Sequence, residues 1–223
     1  MTSRRRTLVR LLFVVALSIV AAPACKNKEN TGRGSGVGSK VVRTIPPFKR
    51  LKVGGTIRAE VEVGSAPSLE ILGDDNLLAR VLSRLDGETL VVEPDAVLKP
   101  TQPLVVRLTT PSLEGVTVAV SSSAIVNGVQ GERFQVFSTG GTKLTARGST
   151  RALEVNARSA ARLDLSALSS ASAKVTAADA SRVELGHVET LDVTGSGPSV
   201  VVYRGDPAIE RKLERPARLL RAR

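Results

Sequence analysis

The stretches VNARSAARL, residues 155–163, and VTAADASRV, residues 175–183, decide the fold, because they are copies of one nine-residue pattern. Each begins and ends on an aliphatic residue, and small side chains fill its centre. Three further copies superimpose on them without a gap: VAVSSSAIV at 118–126, VFSTGGTKL at 136–144 and VTGSGPSVV at 193–201. The opening residues lie 18, 19, 20 and 18 positions apart, a spacing typical of a repeat protein.

One copy describes one rung of a β-solenoid: a short strand, a tight turn of small residues, a second short strand and a variable return. The residue two positions before each opening valine is apolar in every copy, so we expect it to face inward. These residues are Val116, Phe134, Leu153, Ala173 and Leu191. The sequence therefore predicts an all-β protein, a parallel β-helix with rungs of 18–20 residues over about 113–203.

The residue after each of these inward positions is expected to point outward. In chain order this row reads Thr117, Gln135, Glu154, Lys174 and Asp192. Parallel rungs stack about 4.8 Å apart, so the charges of Glu154, Lys174 and Asp192 would attract from one rung to the next. The pattern predicts a surface ladder of alternating charge.

A second ladder is basic. Lys143, Arg162 and Arg182 share one position of the repeat and could form a stripe for an anionic partner. Asp164 and Glu184 follow two residues later on the same face and would neutralise part of that stripe. We therefore prefer a solvated lattice of ion pairs and keep the stripe as the alternative.

The N-terminal half predicts short strands and one short helix. TIRAEVEV, residues 56–63, alternates apolar and charged side chains as a half-buried strand does. Further strands are expected at 69–71, 90–92 and 104–108. Asp74–Asn76 begins the predicted helix, which carries Leu77, Leu78, Val81 and Leu82, with Asp74 or Asp75 as its cap. The acidic pair lacks the further spaced oxygen ligands of a calcium loop, so we predict no metal site.

Residues 1–24 have the features of an export signal: a basic head with Arg4–Arg6 and Arg10, an apolar run at Leu11–Ala22, and small residues before Cys25. The apolar run is short for a permanent membrane helix. Ala22-Pro-Ala-Cys25 resembles a bacterial lipobox, so Cys25 is predicted to carry a lipid, palmitate included, that anchors the mature protein. An ordinary signal with an incidental cysteine is the alternative. The head also resembles a twin-arginine signal, although a plain basic head fits better.

After Cys25, the composition divides the mature chain into three parts. Residues 25–44 are rich in Gly and Ser and are predicted to be a flexible tether. The solenoid domain is expected over 45–207. Residues 208–223 form a basic tail, which we interpret as a frayed cap on the last rung; the alternative is a segment attracted to anionic lipids or cell-wall polymers.

Composition excludes several classes of function. The chain is 42% apolar but only 2% aromatic, so it has few rings on which sugars or bases could stack. Removing the four arginines of 1–24 leaves 28 basic and 21 acidic side chains, a net charge near +7. With the predicted export and so few aromatic residues, we expect no nucleic-acid partner. His187 is the one histidine and Cys25 the one cysteine, so no catalytic residue and no cofactor are predicted.

Four segments carry a family resemblance. Phe48–Val53, Leu72–Leu78, Thr110–Leu113 and Tyr203–Pro207, in that order and with the rungs between them, resemble the auto-transporter adhesin head GIN domain family of bacterial envelope proteins. The resemblance covers about 45–207. It implies a β-helical domain that is exported and held at the cell envelope, often as a lipoprotein, and it implies no catalytic residues. The chain departs from the family pattern in several rung turns, for example at Ala178-Asp179.

These observations predict a non-enzymatic, lipid-anchored envelope protein whose solenoid surface serves interaction, with adhesion as one form of it. The expected partners are the membrane, through Cys25, and a cell-surface or cell-wall polymer; the outer membrane or cell surface is the expected location. Two alternatives remain. A polysaccharide-processing β-helix enzyme would need clustered carboxylates, but Asp164, Asp179 and Asp192 fall at different positions of the repeat. A structural envelope component without a ligand is the other.

Overall fold

Short strands stacked on two faces make up most of this computed structural model, in which residues 32–222 are described. The predicted export signal of 1–24 and the predicted lipid on Cys25 fall on residues outside the described range. The strands are β1 (Gly38–Arg43), β2 (Arg50–Val53), β3 (Ile57–Val63), β4 (Ser68–Asp74), β5 (Val81–Asp86), β6 (Thr89–Pro94), β7 (Leu104–Thr110), β8 (Gly115–Ala119), β9 (Ser123–Val129), β10 (Arg133–Thr139), β11 (Lys143–Arg158), β12 (Arg162–Ala177), β13 (Arg182–Gly195), β14 (Val200–Arg204), β15 (Ala208–Leu213) and β16 (Arg218–Arg221).

The predicted β-solenoid is confirmed, with about five turns. The first face has the strand order β5-β6-β2-β8-β10-β11-β12-β13-β15, and the second face has the order β1-β4-β7-β3-β9-β11-β12-β13-β14-β16. The long strands β11, β12 and β13 belong to both faces: the first half of each lies on the second face and the last half on the first face. Every rung therefore contributes one strand to each face.

The interior is a stack of aliphatic side chains from consecutive rungs. On the first face Val136, Val155, Val175 and Val193 lie opposite one another, and each is at most 1% exposed. On the second face the equivalent column contains Leu144, Leu163, Val183 and Val201, also buried. The predicted inward column Val116, Phe134, Leu153, Ala173 and Leu191 is buried as well. Burial of these apolar surfaces between the two faces is the main force that stabilises the stack.

Register agrees with the sequence repeat in four of the five copies. Val136 lies opposite Val155, Val175 opposite Val193, and Leu163 opposite Val183. The first copy is displaced by two residues, because Val116, and not Val118, lies opposite Val136. Thr117 consequently lies opposite Phe137 and not beside Gln135, so its predicted place in the alternating row is wrong.

The rung turns explain the small residues at the centre of each copy. Ser159 and Ala160, like Asp179 and Ala180, have positive φ angles of 53–63°, which L side chains rarely adopt. In this conformation each turn bonds to the next one. The Gly141 amide donates to the Ser159 carbonyl at 2.9 Å, and the Ala160 amide donates to the Asp179 carbonyl at 2.8 Å. Stacked turns thus continue the hydrogen bonding of the strands around the corner.

A column of small residues follows the turns and lies inside the solenoid. Ser122, Thr142, Ala161, Ser181 and Ser199 are each at most 2% exposed. The Ser122 hydroxyl donates to the Ala119 carbonyl at 2.6 Å, and the Ser138 and Thr142 hydroxyls lie 2.6 Å apart, whereas the Ser181 hydroxyl is buried without a hydrogen-bond partner among the described residues. The small residues at the centre of the repeat thus occupy the buried corner, and the aliphatic residues at its ends lie in the strands.

The N-terminal half follows the predicted strands and corrects the predicted helix. The expected strands correspond to β3, β4, β6 and β7. The predicted helix is only a 3-10 turn at Leu78–Arg80, because Val81 and Leu82 begin β5 and pair with β6. Its N-cap residue is Leu77, with no side-chain hydrogen bond, so the predicted capping by Asp74 or Asp75 is wrong.

Part of the predicted tether belongs to the solenoid, and antiparallel strands lie at the N-terminal end of the stack. Within 25–44, residues 38–43 form β1, which pairs antiparallel with β4; β4 in turn pairs antiparallel with β7. On the first face, β5 pairs antiparallel with β6. These antiparallel strands cover the parallel edges of β7 and β6, which would otherwise be open to pairing with another chain.

The C-terminal segment continues the solenoid as its last rung. β15 pairs in parallel with β13, and β16 pairs in parallel with β14. The described part of the basic tail is therefore two strands and not an amphipathic helix. Within residues 32–222 no helix has the length and apolar character needed to cross a membrane.

Candidate functional site

Parallel, in-register strands hold the outward side chains of the solenoid in straight rows. On the first face the structure brings Glu154, Lys174 and Asp192 opposite one another and adds Gln135 before them and Glu210 after them. The Gln135 Nε2 donates to Glu154 Oε2 at 2.8 Å. Among the described residues no ion pair within 4 Å joins Lys174 to either acidic neighbour. The three charged side chains are therefore neighbours in one row without direct ion pairs between them.

A groove of about 650 Å³ lies beside this first-face row. Small side chains from consecutive rungs form its floor, namely Ala152, Ser172, Thr190 and Ala208. Ile209, 38% exposed, lies at the end of the groove on the last rung. Three of the four charged residues of the row that line the groove are acidic, so the groove would suit a ligand without strong negative charge.

The second face carries the basic row. Lys143 lies opposite Arg162, and Arg162 lies opposite Arg182, so the structure brings all three predicted residues together. The same row continues past Ser123 to Arg58 and past Val200 to Arg218. The three central cations are exposed and line a shallow groove of about 310 Å³.

The carboxylates beside the basic row behave differently from each other. Glu184 Oε1 accepts from Arg182 Nε at 2.8 Å, as the ion-pair lattice predicted. Asp164 instead accepts from the Ser166 hydroxyl at 2.6 Å and from the Ser166 amide at 3.1 Å. The Ser166 hydroxyl holds the pKa of Asp164 below its usual value, although partial burial opposes this shift. The lattice therefore forms at Arg182 but not at Arg162.

Two more cations lie near Asp164. The charges of Arg147 and Arg204 also lower the pKa of its carboxyl group. Both side chains are exposed, and Arg204 lies opposite His187 on the neighbouring rung. The groove of the second face is thus lined by the three cations of the basic row and by two acidic residues, Asp164 and Glu184.

Sequence reasoning missed the most heavily bonded carboxylate. Asp74 is fully buried and accepts hydrogen bonds from the amides of Gly36 and Thr101 at 2.8 Å, from the Gln102 amide at 3.3 Å, and from the Thr101 hydroxyl. The Thr101 hydroxyl is the main cause that lowers the pKa of Asp74 to about 2, against the opposing effect of burial. Asp74 joins the first described residues to the loop before β7. No local pattern could identify partners so distant in sequence.

The three aspartates weighed for an enzyme site lie apart, although Asp164 lies opposite Glu184 on the neighbouring rung. Asp164 is on the second face, Asp192 on the first face, and Asp179 in a turn between them. A glycoside hydrolase needs two carboxyl groups within about 5–9.5 Å on either side of one bond. Within residues 32–222 no group of three or more His, Cys, Asp or Glu side chains could hold a metal ion.

Solved structures of several bacterial proteins share this fold. A putative adhesin from Bacteroides fragilis is 13% identical and has a TM-score of 0.70, over 85% of this chain and 99% of that one. A putative adhesin from Parabacteroides merdae is 16% identical with a TM-score of 0.56, over 86% and 98%. A putative lipid binding protein from Parabacteroides distasonis is 17% identical with a TM-score of 0.52, over 86% and 99%.

No curated protein matches the sequence. At identities this low, the structural likeness establishes the fold and leaves function to other evidence. A sequence model of one family, however, matches most of the chain. Because the family described as "Putative auto-transporter adhesin, head GIN domain" matches residues 47–207, this chain belongs to that family.

Proposed function

We propose that this protein is a non-enzymatic, lipid-anchored component of the cell envelope whose solenoid presents rows of side chains to a surface partner, as an adhesin does. The observation that carries the proposal is the stacking of outward residues in register, which places polar and charged side chains of consecutive rungs in straight rows. A rigid row of this kind can bind an extended partner at several points at once, and multiple weak contacts add to a stable one. The family description supports the same direction.

Anchoring is the first part of the proposal. A lipid on Cys25 would hold the protein on the membrane, and the residues that follow Cys25 would link it to the solenoid. Replacement Cys25→Ser is the test. We expect the variant to leave the membrane fraction and to keep the circular dichroism of a folded β-protein. Retention of the variant in the membrane fraction would refute the anchor.

Orientation is the second part. Protease added to intact cells should degrade the anchored solenoid if it faces outward, and the released Cys25→Ser form serves as the control for accessibility of its cleavage sites. Protection until the envelope is broken would place the domain inside. In that case a structural role in the envelope would replace surface interaction.

The enzyme alternative has its own test. Purified protein incubated with acidic and neutral polysaccharides should release no new reducing ends, because Asp164, Asp179 and Asp192 lie on different sides of the rung. Cleavage of any of these polymers would replace the binding function with a catalytic one.

A further inference from the structure

In the central part of the basic row on the second face, the cations outnumber their ion-pair partners. In the N-terminal part of the same face the charges are paired: Arg58 Nε lies 3.1 Å from Glu60 Oε1, and Arg107 lies 3.3 Å from Glu60 and 3.4 Å from Glu70. Beside Lys143 the corresponding residue is Thr145, and beside Arg162 the carboxylate of Asp164 is bonded to Ser166. Among the described residues, no ion pair within 4 Å involves Lys143 or Arg162.

The register of the parallel strands places these cations in a straight line. Lys143, Arg162 and Arg182 occupy the same register position on three consecutive rungs, so their backbones are spaced about 4.8 Å apart along the solenoid. The line lies in a shallow groove. A membrane surface is contacted best by protruding cations, whereas a groove with a line of cations suits a single extended chain.

The groove also contains groups that bind sugars without aromatic stacking. The hydroxyl of Thr145 lies in the outward row next to the cations, and the guanidinium groups of Arg162 and Arg182 can form two parallel hydrogen bonds to a carboxylate or a sulfate. An acidic polysaccharide presents such anions at regular intervals, with hydroxyl groups between them. Its anions and hydroxyl groups match the chemistry of this groove.

We infer that the groove formed by Lys143, Arg162 and Arg182 is a binding site for a linear acidic polysaccharide that lies along the solenoid axis. The inference rests on the proposed function and names its partner class and its site. Binding of this kind depends on several charge contacts, so it weakens as salt screens them. Asp164 lies within the same groove and limits the affinity, since its charge repels the ligand.

Affinity measurements on the full chain, purified in detergent, test the site. The probes are heparin as a sulfated polymer, pectate as a carboxylated one, and dextran as the neutral control. We expect heparin and pectate to bind at low ionic strength and dextran not to bind. The double variant Lys143→Gln/Arg162→Gln should weaken binding at least tenfold. The matched variant Lys52→Gln/Arg84→Gln removes two cations from the first face and should change binding less than twofold.

A substitution that strengthens binding distinguishes the proposed site from an effect of misfolding, because a misfolded variant would bind more weakly. Replacement Asp164→Asn keeps the oxygen that accepts from Ser166 but removes the negative charge, so we expect binding to strengthen about twofold to fivefold. Equal weakening by the two double variants, or no response to Asp164→Asn, would overturn the inference. Vesicles of phosphatidylglycerol that bind with the same dependence on Lys143 and Arg162 would also overturn it, in favour of a membrane.

Failure of this inference is distinguishable from failure of the proposed function. If intact cells still adhere through the Lys143→Gln/Arg162→Gln protein as through the natural one, the site is wrong and surface interaction stands. If the solenoid is protected from protease on intact cells, the proposed surface role is wrong whatever the affinity for heparin.

Discussion

On the last rung Arg211 occupies the inward position that Val193 fills on the rung before it. Val193 is fully buried, whereas Arg211 is exposed, because no further strand covers β15 among the described residues. On β16 Arg221 likewise lies opposite Tyr203, and it pairs with Asp206 at 2.9 Å. An inward-pointing charge on an edge strand opposes pairing with another chain, since pairing would bury the charge without a partner. The inward arginines of the basic tail therefore oppose the addition of a further strand at this end of the solenoid.

Replacement Arg211→Val should make the protein self-associate. The variant would extend the aliphatic column of Val175 and Val193 to the open edge and remove the charge that opposes pairing. Sedimentation velocity should show dimers or larger species at concentrations where the natural protein is monomeric. The control is Lys212→Val, which changes an outward residue of the same strand. Equal association of both variants would mean that general surface hydrophobicity, and not the inward position, is responsible.

Replacement Val120→Asn should stabilise the fold. Val120 is β-branched and has a φ of 52°, in a turn where other rungs use Gly, Ser, Ala or Asp. Left-handed backbone costs about 1–2 kcal/mol for such a residue, and Asn adopts it more readily. Since Val120 is 66% exposed, little burial is lost. We expect a gain of about 1 kcal/mol, which is about 2–4 °C in Tm for a domain of this size.

The conservative control for that turn is Val120→Ala, which shortens the side chain but keeps a residue that disfavours positive φ. Its Tm should rise less than that of Val120→Asn. A Tm for Val120→Asn at or below that of the natural protein would show that the turn stores no strain at this position.

Asp74 should make the stability of the protein fall at acidic pH. The pKa of Asp74 is about 2 in the folded chain, against 3.8 ordinarily, so the folded state binds its proton less readily than the unfolded state. Its contribution to stability is complete above the ordinary pKa and is lost as pH falls from near 4 to near 2. Urea unfolding measured across this range should show the decline.

Replacement Asp74→Asn should flatten that decline and lower stability at pH 7, because the amide group would face donors and not acceptors. The matched variant is Asp75→Asn at the exposed neighbouring position. A pH profile for Asp74→Asn that falls as steeply between pH 4 and pH 2 as that of the natural protein would assign the acid sensitivity to other carboxylates.

Interior rungs should be sensitive to lost volume. Leu163 is 2% exposed in the middle of the second-face column, and truncation to alanine leaves a cavity. Replacement Leu163→Ala should cost about 2–5 kcal/mol in the free energy of unfolding, measured with urea. Leu220→Ala, on the last rung where the side chain is 45% exposed, is the control and should cost much less. Similar losses at both positions would contradict the assignment of the core.

The repeat in the sequence predicts the register of the middle rungs, and the first copy shows where such prediction ends. A shift by one residue would turn the inward residues outward, so the pattern excludes it. A shift by two keeps every side chain on its face. Val116 and Val118 both suit the inward column, so the pattern cannot distinguish them. The gap-free alignment of the copies predicts Val118 as the partner of Val136, whereas the structure pairs Val116 with it.

The elements that the sequence did not predict depend on distant partners. Residues 38–43 have the composition of a tether and become β1 because β4 offers six residues to pair with. Leu82 fits the apolar face of a helix but belongs to β5, which pairs with β6. At the candidate site, the repeat places Lys143, Arg162 and Arg182 correctly, but the choice of Asp164 between Arg162 and Ser166 depends on side-chain geometry that the spacing does not encode.

The equivalence of the interior rungs has a consequence for the size of the molecule. Each of these rungs contacts only the rung before it and the rung after it, while the antiparallel strands at one end and Arg211 and Arg221 at the other close the stack. Excising the segment from Lys143 to Ala161 would join two equivalent points of the repeat and leave both closures intact. Gain or loss of one rung would therefore change the length over which the solenoid can contact a partner by about 4.8 Å.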